Sequence, residues 1–362
     1  MFFMSNHFKR IAIKVGSNVL TNENGHLDAN IIQQLVRQIA NVVQAGTEVV
    51  LISSGAVASG RSIHNLKQKL DTVSSRQLLS AIGQVKLINQ YSNHFQKQNL
   101  QVAQVLVTKE DFRTRTHYLN MKNCLQVLLG SQIIPIVNEN DVVAITELMF
   151  TDNDELAGLV ANMINADALI LLSNIDGVYN GDPSNPQSEI IEEVRNLNTD
   201  FSKIVTHKKS EFGRGGMITK CNMAAKIAAT GLHVFIANGK SSDIIFNAVQ
   251  GKKAGTHFIP ESKVQSGLKK WLAHSGGYSK GRIMINEGAL YALKSKQAIS
   301  VLPVGIIKLF GEFRKGDLLE IATADGVVIG WGVAQYGHEK AGGRIGQHNQ
   351  KPLIHYDYLY IK

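Results

Sequence analysis

Four stretches of this chain carry residue types and spacings suited to handling phosphate and carboxylate charge. Lys14 is followed by Gly16, Ser17 and Asn18 in KVGSN (14–18), and Ser54 and Gly55 sit in ISSGA (52–56). Small residues let backbone N–H groups approach an oxyanion, and a helix start favours its negative charge. A lysine beside such a turn neutralises transferring phosphoryl oxygens. Further along come Asn138, Glu139, Asn140 and Asp141 in IVNEND, then Asp152, Asn153 and Asp154 in FTDNDELAG. Carboxylates and amides of this kind hold the ammonium and carboxylate groups of an amino acid, while Asp152 or Asn153 also suits the cap of the helix ELAGLVANMINA. In GRGGMITK (213–220), the amides of Gly215 and Gly216 with Lys220 beside them fit phosphate at a helix start. The competing reading there is a hinge with a solvated lysine. The long polar turn SNIDGVYNGDPSNP, opening at Ser173 and Asn174, is of a kind that covers a nucleotide base and ribose.

Other chemistries fail on pattern. There is no GxxxxGK[ST] loop, no HRD or DFG, no GxGxxG after the first strand and no GxSxG elbow. Two cysteines, Cys124 and Cys221, make neither a disulfide framework nor a metal site, and read as thiols in a reducing compartment. The opening MFFMSNHFKR lacks the apolar core of a signal peptide, and no apolar run reaches bilayer length. The expectation is a soluble cytoplasmic protein.

Elements that position these residues are visible in the apolar pattern. RIAIKV, EVVLIS, QVAQVLV, IIPIV, ALILLS and HVFIA are short β-rich runs. Between them lie stretches of helical spacing, such as NIIQQLVRQIANVVQAG, whose Ile31, Ile32, Leu35, Val36, Ile39, Val42 and Val43 form one stripe ended by Gly46. Alternation of this kind implies a parallel sheet covered on both faces, with ligands beyond the carboxyl ends of the strands. The pattern changes near Pro260. Residues 263–279 read as a Gly- and Lys-rich linker, and 280–362 as a small β-rich domain with one helical piece, EGALYALKS. Charge divides similarly: from Lys263 onward 14 Lys and Arg face 7 Asp and Glu, while the preceding 262 residues carry a net charge of only +2.

Five motifs, K-V-G-S-N, I-S-S-G-A, I-V-N-E-N-D, D-N-D and G-G-M-x-T-K, occur in the order and spacing of the amino acid kinase superfamily, and IVNEND followed by DND resembles its glutamate 5-kinases. GRIMINEGALYAL and LPVGIIKLFGEFRKGDLLEI resemble a PUA domain. The resemblance implies a three-layer α/β sandwich with a mainly parallel sheet over residues 1–262, joined to a PUA-like domain. It implies an ATP-dependent kinase of proline biosynthesis that phosphorylates the γ-carboxylate of L-glutamate, with Mg²⁺ held mainly by ATP oxygens and no dedicated protein metal site.

By the same resemblance Lys14, Asp154 and Lys220 are catalytic, with Asp154 holding both ammonium groups. Lys14, Gly16, Ser173, Asn174, Arg214, Gly215, Gly216, Met217, Ile218, Thr219 and Lys220 bind the nucleotide. Ser54, Gly55, Asn138, Asp141, Asp152 and Asn153 bind glutamate. Two departures stand out: Asn174 occupies a position where an aspartate is common, and Arg214 one where a threonine is common. Proline as feedback inhibitor and a homo-oligomer are further implications. Related kinases acting on aspartate, N-acetylglutamate, carbamate or UMP are the nearest alternatives. A different class is RNA binding through the C-terminal domain, where Lys269, Lys270, Lys280, Arg282, Arg314 and Lys315 suit phosphate contacts. Phe310 and Tyr336 would either stack on bases or fill the core.

Overall fold

The computed structural model describes residues 8–64, 70–113, 115–144, 150, 153–205, 216–260, 279–295 and 299–361. The expectations for Asp152, Arg214, Gly215, Lys269, Lys270 and most of the 263–279 linker lie outside these residues. The chain divides into two compact units, one of Met1–Lys109 with Asn123–Val264, the other of Glu110–Lys122 with Gln265–Lys362.

The larger unit is built on strands β1 (Arg10–Val15), β2 (Glu48–Ser53), β3 (Gln101–Val107), β4 (Ile133–Glu139), β5 (Ala168–Ser173), β6 (Glu193–Val194), β7 (His233–Asn238) and β8 (Thr256–Phe258). They form one sheet in the order β3-β4-β2-β1-β5-β7-β8-β6. From β3 to β7 every neighbouring pair is parallel, whereas β8 runs antiparallel to β7 and pairs in parallel with β6. The sequence then crosses between strands through α1 (Ser17–Leu20), α2 (Ala29–Gln44), α3 (Ala56–Arg61) and α4 (Thr72–Gln96). After these come α5 (Glu110–Arg113) and the first half of α6 (Arg115–Gly130), which belong to the smaller unit, and then, in the larger one, α7 (Asn153–Met163), α8 (Met217–Ala228) and α9 (Ile244–Val249).

Two faces follow from the two-residue period of a strand. Ile11, Ile13 and Val15 of β1 join Leu35, Val36 and Ile39 of α2 in one core layer, together with Tyr91 and Phe95 of α4. Lys14 therefore projects to the opposite face, which α7 covers. Asp28 caps α2, its side chain accepting from Asn30 N at 2.9 Å and Ile31 N at 3.3 Å. Short α3 lies against α4 with backbone almost touching backbone. A Cβ added at Gly83 would stand 1.8 Å from the Ala56 carbonyl oxygen, and one at Gly60 would stand 2.0 Å from that of Leu79.

The smaller unit holds β9 (Gly281–Ile285), α10 (Glu287–Lys294), β10 (Ile306–Phe310), β11 (Leu318–Ala322), β12 (Val328–Ala334), α11 (His338–Gly342) and β13 (Ile354–Ile361). Its sheet runs β10-β9-β11-β12-β13, with Ile283, Leu319, Ile321 and Ile354 in its core. Tyr336 belongs to that core and its hydroxyl donates to the Lys351 carbonyl at 3.0 Å, while Phe310 is exposed with Lys308 Nζ 4.8 Å from the ring centre. Among the described residues no helix is long and apolar enough to cross a membrane.

Candidate active site

Strand order reverses about β1, with β2 on one side and β5 on the other, and a crevice opens beyond the carboxyl ends at such a switch point. Here the crevice is a cavity of about 970 Å³. That lies at the upper end of the roughly 300–1,000 Å³ expected of small-molecule sites.

At its floor lies Asp154, in the first turn of α7, with 2% of its surface exposed. Lys14 Nζ stands 2.6 Å from Asp154 Oδ1, and Lys220, in the first turn of α8, donates to Oδ2. Burial alone would raise the Asp154 carboxyl. Lys14 and then Lys220 outweigh it, holding the group well below the usual carboxylate range. The backbone N–H groups of the α7 N-terminus favour the same charge. Two ammonium groups on one carboxylate leave a single positive charge in excess, aimed at the cavity.

Turns around this triad have the backbone freedom that anion binding asks for. Gly55 caps α3 at φ +104°, a left-handed conformation, and a Cβ there would meet Leu20 Cδ1 at 3.2 Å. Gly16 follows β1, its N–H donating to the Leu172 carbonyl at 3.3 Å. Gly216 caps α8 with open space where a Cβ would stand.

Beside α7 the polar groups interlock. Asn153 Nδ2 donates to Ser54 Oγ at 2.8 Å and to Asn138 Oδ1 at 3.4 Å, and Asn138 Nδ2 donates to Gln84 Oε1 at 3.0 Å. Asp141 follows at the end of β4. Burial raises its carboxyl and that of Glu139, against the pull of Arg76.

The cavity thus brings together Lys14, Gly16, Ser54, Gly55, Asn138, Asp141, Asn153, Asp154, Ser173, Asn174, Gly216, Met217 and Lys220. Ile218 and Thr219 ride on α8 without lining it, and Thr219 is exposed. Tyr179, Gly181 and Pro183, from the long polar turn, line the side where Ser173 and Asn174 lie. Arg76, Arg61 and Thr72 also line the cavity, though none of them stood out in the sequence. Their signal was only a charged or hydroxyl residue near a helix end, Arg61 closing α3 and Thr72 and Arg76 in the opening turns of α4, which is the ordinary makeup of a solvated helix end. Cys221 is buried, its thiol pushed up to about 12 by burial, and so is an inert apolar filler.

The cavity thus has two lysines on one buried acid between strand ends. The model described as amino acid kinase family matches residues 9–238. This chain belongs to the amino acid kinase family. A second family model, the PUA domain, matches residues 281–353 of this amino acid kinase. It is 52% identical over 361 residues to a protein named Glutamate 5-kinase from Bacteroides thetaiotaomicron, spanning 99% of this chain and 100% of that one. A protein of the same name from Chlorobaculum tepidum is 51% identical, with 98% of each chain covered. A crystal structure of UMP kinase from Bacillus anthracis overlaps 70% of this amino acid kinase and 97% of its own chain, with a TM-score of 0.49 and 15% identity.

Proposed function

We propose that this chain is a glutamate 5-kinase, transferring the γ-phosphoryl group of ATP to the γ-carboxylate of L-glutamate as the first step of proline biosynthesis. The observation that carries the chemistry is the buried Asp154 carboxylate shared by Lys14 and Lys220 at the floor of the cavity. Near-complete coverage at 52% and 51% identity by relatives named for that acceptor supports the choice of glutamate.

A γ-carboxylate is already ionised near neutral pH, so the acceptor needs no strong general base. One of its oxygens forms the new bond to the γ-phosphorus while the bridge to the β-phosphate breaks, yielding γ-glutamyl phosphate and ADP. Catalysis then reduces to alignment and neutralisation of charge. In this reading Lys14 faces the transferring group and Lys220 the β- and γ-phosphates. Asp154 keeps both ammonium groups in place and prevents them from repelling one another. Gly16, Gly55 and Gly216 give backbone room for phosphate oxygens. Ser54, Asn138 and Asn153 form the wall for the acceptor, with Asp141 meeting its ammonium group.

Mg²⁺ enters with ATP as part of the substrate, coordinated by phosphate oxygens and water, since it dehydrates reluctantly. A cytoplasmic setting, a homo-oligomer, an RNA contact through the C-terminal unit and proline as a competitor at the Ser54–Asp141–Asn153 wall belong to the same proposal.

The deciding experiment measures ADP release from Mg-ATP with L-glutamate, aspartate, N-acetylglutamate or UMP as acceptor. Turnover with glutamate alone is expected, and turnover with another acceptor in its place overturns the assignment. Inhibition by proline should be relieved by excess glutamate; inhibition that persists argues for a separate site.

A further inference from the structure

We propose that Arg76 is a positioning residue for the acceptor, fixing Asp141 by one oxygen so that the other is presented to the substrate's ammonium group. The proposal deepens the glutamate kinase reading and rests on it.

Arg76 lies in the second turn of α4, remote in sequence from its partners. Its Nε donates to Asp141 Oδ1 at 2.8 Å, and Nη2 donates to that same oxygen and to Glu139 Oε2 at 3.0 Å. The side chains of Arg76, Glu139 and Asp141 are 20%, 4% and 9% exposed, so the cluster is largely dry. Glu139 is engaged at both ends, because Oε1 accepts from Phe150 N at 2.8 Å. Asp141 is gripped differently. Both Arg76 bonds end on Oδ1, and Oδ2 has no hydrogen-bond partner among the described residues, although Asp141 lines the cavity. That oxygen is thereby left to accept a charge-assisted hydrogen bond from a ligand ammonium in the cavity.

Charge in the cavity has a direction that such a ligand matches. One guanidinium between two ionised carboxylates leaves a negative charge in excess at this end, while Lys14, Lys220 and Asp154 leave a positive charge in excess at the other. An amino acid with a distal carboxylate fits that polarity with its ammonium at Asp141 and its reacting oxygen toward the lysines. Acylating the nitrogen removes the match. Arg76 also favours the ionised form of both acids: burial raises both carboxyls, Arg76 opposes the rise at Asp141, and at Glu139 the Phe150 N–H and then Arg76 oppose burial and the nearby Asp141 charge. The remaining charged side chains on the cavity wall are Arg61, Lys14, Asp154 and Lys220.

Steady-state kinetics of the full chain test this, comparing wild type, Arg76→Gln and Arg76→Lys between about pH 6 and pH 8. The expected result for Arg76→Gln is a KM for glutamate raised about tenfold or more, with kcat and the KM for ATP within about twofold. Without the guanidinium both carboxyls move further upward, so the glutamate KM of Arg76→Gln should depend on pH more steeply than that of wild type, rising as pH falls. Arg76→Lys should recover part of the loss. An unchanged KM for glutamate overturns the proposal. So does a joint loss of both KM values and thermal midpoint that lysine fails to recover, which would make Arg76 a structural brace only. If the wild type instead uses another acceptor bearing an ammonium group, the glutamate reading falls and the same KM comparison on that acceptor still judges Arg76. Turnover only with an acceptor lacking that group overturns both.

Discussion

Asp154 works by being shared. A carboxylate held below its usual range by two lysines contributes stability that is present above the unfolded value of 3.8 and lost as pH falls through its lower folded value. Breaking such a buried arrangement from one side costs about 3–5 kcal/mol. Asp154→Asn should therefore lower the thermal midpoint at neutral pH, and the gap from wild type should close as pH drops below the ordinary carboxylate range. A gap that persists in acid would show that the residue serves packing rather than charge. Lys220→Ala is expected to reduce kcat by about 10²–10³-fold, the size of a lost oxyanion partner in a dry site. That Lys14, Asp154 and Lys220 could meet was legible in the sequence, because Lys14 stands near the carboxyl end of a strand and the other two open helices. Arg76 was not, because its meaning lies in partners 63 and 65 residues away, and one arginine on a helix looks like solvated surface.

Elements translate these positions into reach. All six β-rich runs read from the sequence became strands, and their parallel course places the residues after β1, β2, β4 and β5 on one edge. The antiparallel β8 and its two-residue partner β6 were not foreseen, since runs of three and two residues carry no periodicity to detect. Helix α6 was missed for a related reason: RTHYLNMKNCLQVLLG mixes polar and apolar residues without a clean stripe. The α3–α4 crossing is a sharper case. Gly60 and Gly83 look like helix-weakening residues in the sequence, yet they are what allows the two backbones to meet. Gly83→Ala should cost at least about 2 kcal/mol by forcing a methyl group into the Ala56 carbonyl. Denaturant unfolding checks this, and a neutral or stabilising result would mean that the crossing relaxes freely.

For the molecule as a whole, the sequence revealed two differently charged parts, and the structure contains two units, each with its own sheet and core. Among the described residues, those lining the cavity fall between Lys14 and Lys220. Binding of Mg-ATP to that cavity must then stabilise the fold by mass action, by about 2.7 kcal/mol when the nucleotide is at a hundred times its Kd. Calorimetry with and without Mg-ATP should register the rise in wild type and lose most of it in Lys220→Ala. No rise in wild type would deny nucleotide binding at this site.

The close meeting of α3 and α4 bears on where the protein can move. Gly55 and Arg76, which line the cavity, ride on two helices whose backbones leave no gap to slide through. That wall should breathe little, with amide hydrogens on α3 and the facing turns of α4 exchanging slowly. Opposite stands the turn carrying Tyr179, Gly181 and Pro183, whose stretch from Pro183 to Gln187 is exposed. Entry and exit of the nucleotide then become a one-sided motion, in which a yielding flap works against a fixed anvil.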